Sequence, residues 1–226
     1  MKLTVSLIIL FFTNFICNNQ QVEPYNYLLF TPTNNELVEN DKYPLIVFLH
    51  GAGERGDDLD KVRVHGPPKL VQQDESFPYM VLSPLCPLDN WWEADKLDEL
   101  LDHVVKNNQV DEHRIYLTGL SMGGYATWDW VTLRPDRFAA IAPICGGSDQ
   151  NAANTSIFKD VPTWVFHGAK DTVVPVENSL RIIEELKQSG SSVIFTIYPE
   201  AGHDSWTDTY NNPMLFDWFI SHTLND

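Results

Sequence analysis

Six short runs of almost uninterrupted apolar residues, separated by stretches of helical periodicity, constrain this chain more than anything else in it. The runs are Leu45 to Leu49, Tyr79 to Leu82, Arg114 to Thr118, Phe138 to Ile144, Thr163 to Phe166 and Val193 to Tyr198. Strands covered on both faces read this way. Tyr27 to Phe30 reads as an additional edge strand. Between the runs, Leu97, Leu100, Leu101, Val104 and Val105 recur on one helical face, and Val176, Leu180, Ile183 and Leu186 do the same ahead of Gly190. Met122 to Leu133 is a third helix, stopped before Pro135, and Met214 to Ile220 a terminal one. Strand and helix in alternation predict one α/β domain with a mostly parallel, doubly wound sheet and helices on both faces.

Composition narrows the partners. The 226 residues are 43% hydrophobic and 20% charged, which fits a packed core. The 12 glycines and 14 prolines show no period, so repeat architectures are excluded. Acidic residues outnumber basic ones 31 to 15, for a formal charge of −16. Such a surface repels phosphate backbones, and with no basic stripe nucleic acid is not an expected partner.

The first residues read as a leader. Lys2 precedes an apolar stretch from Leu3 to Ile16 that is too short for a comfortable membrane span, which needs about 20 residues. A signal peptide ending near residue 20 is the expectation, with the folded domain over residues 21–226. That implies a secreted or periplasmic protein without stable membrane insertion. Ile16 is bulky for a lipid-attachment signal at Cys17. Cys86 and Cys145 remain as a disulfide pair or as two separate buried thiols, and Asn154-Thr155-Ser156 is a glycosylation sequon.

The chemistry centres on Gly119-Leu120-Ser121-Met122-Gly123, placed between a strand and a helix. G-x-S-x-G in that setting is a nucleophile elbow, a tight turn that lifts the serine oxygen above the carboxyl edge of the sheet. A serine hydroxyl needs a base, and in this fold the acid and then the histidine follow the serine in chain order. His203, in the loop after Val193 to Tyr198, is the expected base, since His50 and His167 come too early and His222 sits on a terminal helix. Asp171, after Thr163 to Phe166, is the expected acid, with Glu177 and Asp149 as competitors. The oxyanion hole is expected from the backbone N–H of Met122 and that of Ala52, with Gly53 as the neighbouring alternative, in the loop His50-Gly51-Ala52-Gly53-Glu54-Arg55-Gly56. Glu54 and Arg55 read as an ion pair holding that loop, and His65 lies in a long loop beside Gly66-Pro67-Pro68. Trp91, Trp92 and Trp206 near loop ends either form an aromatic face for an aryl or sugar substrate, with Trp92 and Trp206 the expected contacts, or cover the edge of the core. No metal-ligand motif and no cofactor fingerprint is present in the sequence, so neither a metal nor a cofactor is expected.

Taken together, Leu49 to Gly56, Leu120-Ser121-Met122-Gly123-Gly124, Pro143-Ile144-Cys145-Gly146-Gly147, Phe166-His167-Gly168-Ala169-Lys170-Asp171 and Gly202-His203 resemble single-domain α/β-hydrolases of the phospholipase/carboxylesterase and dienelactone-hydrolase group. The branch is prolyl-oligopeptidase-like and includes exported feruloyl and acetyl esterases. The resemblance covers roughly residues 25 to 222. It implies an α/β-hydrolase fold, a Ser121, Asp171, His203 triad, and Ala52 and Met122 as the oxyanion amides. It implies ester hydrolysis, with feruloyl or acetyl esters of plant polysaccharide as the first substrate expectation. A peptidase, and a non-catalytic binding module on the same scaffold, are the alternatives.

Overall fold

The computed structural model describes residues 18–22, 25–33, 37–74, 76–148 and 156–224. The apolar stretch from Leu3 to Ile16, Cys17, Asp149 and the Asn154-Thr155 part of the sequon lie outside the described residues.

Among the described residues, eight strands form one sheet: β1 (Asn18–Val22), β2 (Tyr25–Phe30), β3 (Tyr43–Leu49), β4 (Met80–Leu85), β5 (Val110–Leu120), β6 (Ala140–Ile144), β7 (Trp164–Gly168) and β8 (Ile194–Tyr198), in the order β1-β2-β4-β3-β5-β6-β7-β8. The pairs β1/β2 and β2/β4 are antiparallel, and every later pair is parallel. The segment read as an edge strand, Tyr27 to Phe30, is therefore an inner one. β1 pairs along its outer side, from Asn18↔Leu29 to Val22↔Tyr25.

The two faces of the sheet follow the period-two alternation of strand side chains. Leu45, Val47 and Leu49 of β3, with Ile115 and Leu117 of β5, enter one apolar cluster. Ile46 and Phe48, with Tyr116, enter the other. The first cluster is closed by α2 (Ala94–Asn107), α3 (Met122–Leu133) and α4 (Glu177–Gln188), through Leu97, Leu101, Val104, Trp128, Ile183 and Leu186. The second is closed by α5 (Trp206–Tyr210) and α6 (Pro213–Ile220), through Tyr210, Leu215 and Phe219. Trp128 and Trp130 of α3 are buried to 1% and 0% exposure, so truncating either would cost about 3–5 kcal/mol. In β8 the pattern fails: Ile194 and Ile197 are each 43% exposed, because this strand is the sheet's edge.

Two α-helices among the described residues were not expected from the sequence, α5 and α1, the latter formed by Gly66–Gln73 where Gly66-Pro67-Pro68 reads as part of a long loop. Proline is tolerated in a helix's first turn, where the N–H has no intrahelical partner in any case. Gly66 sits at φ +66, and a Cβ there would lie 2.5 Å from Cε2 of Phe48, so the entry to α1 requires glycine. Cys86 and Cys145 are both buried and both free, which settles the disulfide question in favour of two separate thiols.

Candidate active site

The loops that carry the expected residues all leave the carboxyl ends of parallel strands, the edge where open α/β sheets bind ligands. Ser121 follows β5, the loop from His50 follows β3, Asp171 follows β7 and His203 follows β8. The sequence distributes these residues over 154 positions of chain, and parallel pairing of their strands brings them to one edge.

Ser121 stands at φ 53, ψ −115, one of five non-glycine residues with positive φ among those described. Such a conformation costs on the order of 1–3 kcal/mol and persists only where surrounding structure imposes it. Here the surroundings are close backbone contacts. A Cβ on Gly119 would collide with the carbonyl oxygen of Gly123, and one on Gly123 with the carbonyl oxygen of Leu49. The Ser121 N–H donates to the Ile144 carbonyl at 3.0 Å, and the Tyr125 N–H donates to the Ser121 carbonyl at 3.0 Å. The strand, the turn and the start of α3 are thus pinned before the side chain makes any contact.

His203 then reaches two partners. Its Nε2 lies 2.9 Å from Oγ of Ser121, and its Nδ1 lies 2.7 Å from Oδ2 of Asp171. The loops bearing acid and base are stitched together: the Ala169 N–H donates to the Tyr198 carbonyl and the Lys170 N–H to the Ala201 carbonyl, each at 2.9 Å. Asp204, beside the imidazole residue, takes no part in this relay. It accepts from the N–H and Oγ1 of Thr207, each at 3.0 Å, at the start of α5.

The carboxyl of Asp171 has no exposed side-chain surface. Burial alone would raise its pKa. The hydrogen bond from His203, and those from the N–H groups of Val174 and Val173 to Oδ1 at 2.9 Å, outweigh burial and hold it below the ordinary carboxylate value. Asp171 is therefore an anion facing the imidazole. Sequence reasoning missed its second neighbour. His167, fully buried, places Nε2 at 3.3 Å from Oδ2 of Asp171 and 2.8 Å from the Val174 carbonyl. That carbonyl can only accept, so Nε2 carries a proton, and burial lowers the pKa of the ring. The spacing His167-Gly168-Ala169-Lys170-Asp171 was the available signal, since a strand-end histidine four residues ahead of the acid can fold back on it.

Met122 opens α3, so its N–H has no carbonyl partner inside the helix. Ala52 opens a single 3₁₀ turn, Ala52–Glu54, directly after Gly51. Both expected amides thus belong to residues beginning a helical turn at the edge that carries Ser121. Arg55 braces this loop: its Nε donates to the Ala52 carbonyl at 3.0 Å and its Nη1 to the Asn90 carbonyl at 2.9 Å. The expected Glu54–Arg55 ion pair does not form. Glu54 turns the other way, with Oε1 3.7 Å from Nε2 of His65. The guanidinium is taken by carbonyls from two loops, which a sequence reading of adjacent opposite charges does not foresee.

The tryptophans separate. Trp92 is 5% exposed, donates from Nε1 to the His50 carbonyl at 3.2 Å and packs on His50 and Tyr25. Almost fully buried, it braces the start of the loop after β3 rather than facing outward as an expected substrate contact. Its neighbour Trp91 is the exposed one, at 50%, against Tyr125 of α3. Trp206 stands edge-on to the imidazole of His203 with centroids 5.3 Å apart, and edge-on to His65 at 5.4 Å.

Among the described residues, Cys145, Asp171 and His203 form the one group of His, Cys, Asp and Glu close enough to share a cation, with ligand atoms within 4.8 Å of one another. Two of the three are already bonded to each other. Burial pushes the Cys145 thiol up to about 12, which disfavours the thiolate a metal needs.

This sheet, its crossover helices and a serine on a strained strand-to-helix turn define an α/β-hydrolase. The dienelactone hydrolase family profile matches residues 91–213, more than half of the chain, and the chain belongs to that family. A solved structure of a thermostable esterase superposes with a TM-score of 0.75 at 35% identity, covering 88% of this chain and 59% of the other. The poly(3-hydroxyoctanoate) depolymerase of Pseudomonas fluorescens is 27% identical over 182 residues, 68% of this chain and 63% of the depolymerase. The bifunctional acetylxylan esterase/xylanase of Neocallimastix patriciarum is 31% identical over 151 residues, 65% of this chain and 21% of that protein. The chain spans less than two thirds of each of these proteins, and 42% of a Salmonella typhimurium relative matched at 30% identity.

Proposed function

We propose that this chain is a serine ester hydrolase that works through an acyl-enzyme on Ser121. The observation that carries the reading is the unbroken hydrogen-bonded row from Ser121 Oγ through His203 to Asp171. Oγ attacks the ester carbonyl carbon as its proton passes to Nε2 of His203. Negative charge then develops on the carbonyl oxygen, where the N–H groups of Met122 and Ala52 donate to it. One such donor is worth about 3–4 kcal/mol in the transition state. The carbon–oxygen bond to the alcohol breaks, and Nε2 returns the proton to the departing oxygen. Water, deprotonated by the same nitrogen, attacks the acyl carbon; the acyl bond to Oγ breaks as Nε2 returns that proton to Oγ, which releases the acid and restores the Ser121 hydroxyl. Asp171 stays ionised throughout and stabilises the transient imidazolium.

Acetyl or feruloyl esters of plant polysaccharide remain the proposed substrates, and export guided by the leader sequence the proposed location. Support comes from the relatives, whose names include an acetylxylan esterase and a polyester depolymerase. The test is Ser121→Ala, assayed on p-nitrophenyl acetate and with a fluorophosphonate probe. Turnover and covalent labelling are both expected to vanish while the circular dichroism spectrum is kept. Undiminished turnover in the variant would overturn the proposal.

A further inference from the structure

The carboxylate of Glu54 has no place in the reaction described above. Only 14% of its side chain is exposed, and among the described residues it accepts no hydrogen bond. Its neighbours are two imidazoles, Nε2 of His65 at 3.7 Å and Nδ1 of His50 at 4.0 Å. The second is engaged elsewhere, 2.6 Å from the Gly51 carbonyl. The side chain is mostly covered while its carboxylate oxygens keep contact with solvent, so they are free to accept from a bound molecule.

Its position is informative. A Cβ built on Gly51 would lie 3.2 Å from Oε2 of Glu54 and 3.6 Å from Cβ of Ser121, so the two side chains flank Gly51 with the carboxylate no more than about 7 Å from the Ser121 Cβ. Next to an oxyanion hole, a fixed negative charge opposes the charge that develops in the transition state. That argues for a role in binding the substrate. The side of the cleft is set by the aromatic contacts. His203 must face the departing alcohol to protonate it. Trp206 packs edge-on against His203, His65 packs edge-on against Trp206, and His65 faces Glu54. The row from His203 to Glu54 is thus one wall on the leaving-group side.

Resting on the reading of Ser121, His203 and Asp171 as the hydrolytic relay, we infer that Glu54, with Trp206 and His65, forms a subsite for a leaving alcohol that carries further hydroxyl groups, as in a partly acylated sugar. The free hydroxyls donate to the Glu54 carboxylate, and the apolar face of the ring lies against Trp206. Glu54 is then the residue that separates sugar esters from simple alkyl esters.

The test compares kcat/KM for a methyl xyloside monoacetate with that for ethyl acetate, in wild type, Glu54→Ala and Glu54→Gln. The ratio of the two cancels any loss of folded enzyme. Wild type is expected to favour the xyloside ester. Loss of a charge-assisted hydrogen bond should lower that ratio about tenfold or more in Glu54→Ala, through KM, and by less in Glu54→Gln, which keeps an acceptor. An unchanged ratio in both variants overturns the inference. So does a Glu54-dependent preference for acetylcholine over the xyloside ester, which would mark the carboxylate as a site for cations. Failure of wild type to hydrolyse any of these esters would instead sink the hydrolase reading itself.

Discussion

Gly123 and Leu49 approach so closely that no side chain fits between them: a Cβ on Gly123 would collide with the Leu49 carbonyl oxygen. This contact locks the start of α3 against the end of β3, and with it the distance from Ser121 to the loop of Ala52. Gly123→Ala is expected to separate the two. The stability loss should be at least about 1–3 kcal/mol, the usual cost of overpacking, and it would be read from the urea midpoint. Residual folded protein should hydrolyse ester poorly, because one amide of the pair has moved.

The strain at Ser121 predicts a stability gain on losing function. At φ 53, ψ −115 a glycine is at ease and a serine is not. Ser121→Gly should therefore be inactive yet more stable than wild type by about 1 kcal/mol, within the usual cost of such a conformation. Thermal unfolding of the two proteins measures this. A lower melting temperature in the glycine variant would contradict the strain argument.

Asp171→Asn keeps the shape of the acid and removes its charge. The amide can present its N–H2 to Nδ1 of His203, which favours the wrong tautomer for a base at Nε2. A fall in kcat on the order of 10⁴ is expected on p-nitrophenyl acetate, measured against wild type at one pH. His167 gives a milder counterpart. His167→Gln removes the ring that touches Oδ2 of Asp171 at 3.3 Å, and should lower kcat while leaving fluorophosphonate labelling detectable.

His50 sets an acid limit on stability. The Cys86 N–H donates to its Nε2 at 3.0 Å, and Nδ1 lies 2.6 Å from the Gly51 carbonyl, so the buried ring is neutral with its proton on Nδ1. Burial, the largest influence, lowers its pKa to about 4. In the unfolded chain the ring protonates near its ordinary value of about 6.5. The unfolded state thus binds the extra proton first as pH falls. The stability contributed is complete above about 6.5 and drains away down to about 4, by roughly 3 kcal/mol. Urea melts across that window should show the loss. His50→Gln, which cannot titrate, should show a flatter dependence.

The local code of this chain was legible because local physics wrote it. Continuous apolar runs such as Ile115 to Leu117 mark strands covered twice, and i, i+3, i+4 spacing in α2 marks a single buried face. Met122 to Leu133 reads as a helix with the bounds it has, since a glycine-bearing turn starts it and Pro135 prevents its continuation. Chain order also pointed to the strand-end loops of Ser121, Asp171 and His203, which the structure joins by hydrogen bonds.

Tertiary structure decided the rest, because spacing along a chain carries no information about which loops will touch. Pairing of β1 outside β2 turned an expected edge into an interior strand. Trp91 and Trp92 are neighbours in sequence, yet one is exposed and the other holds the His50 carbonyl. Arg55 found the carbonyl of Asn90, 35 residues away, and so left Glu54 to face His65. Hydrogen-bond competition among groups brought together by the sheet settled these partners. The sequence determined the strands, the helices and the chemistry at their ends; only the folded packing determined which charges meet.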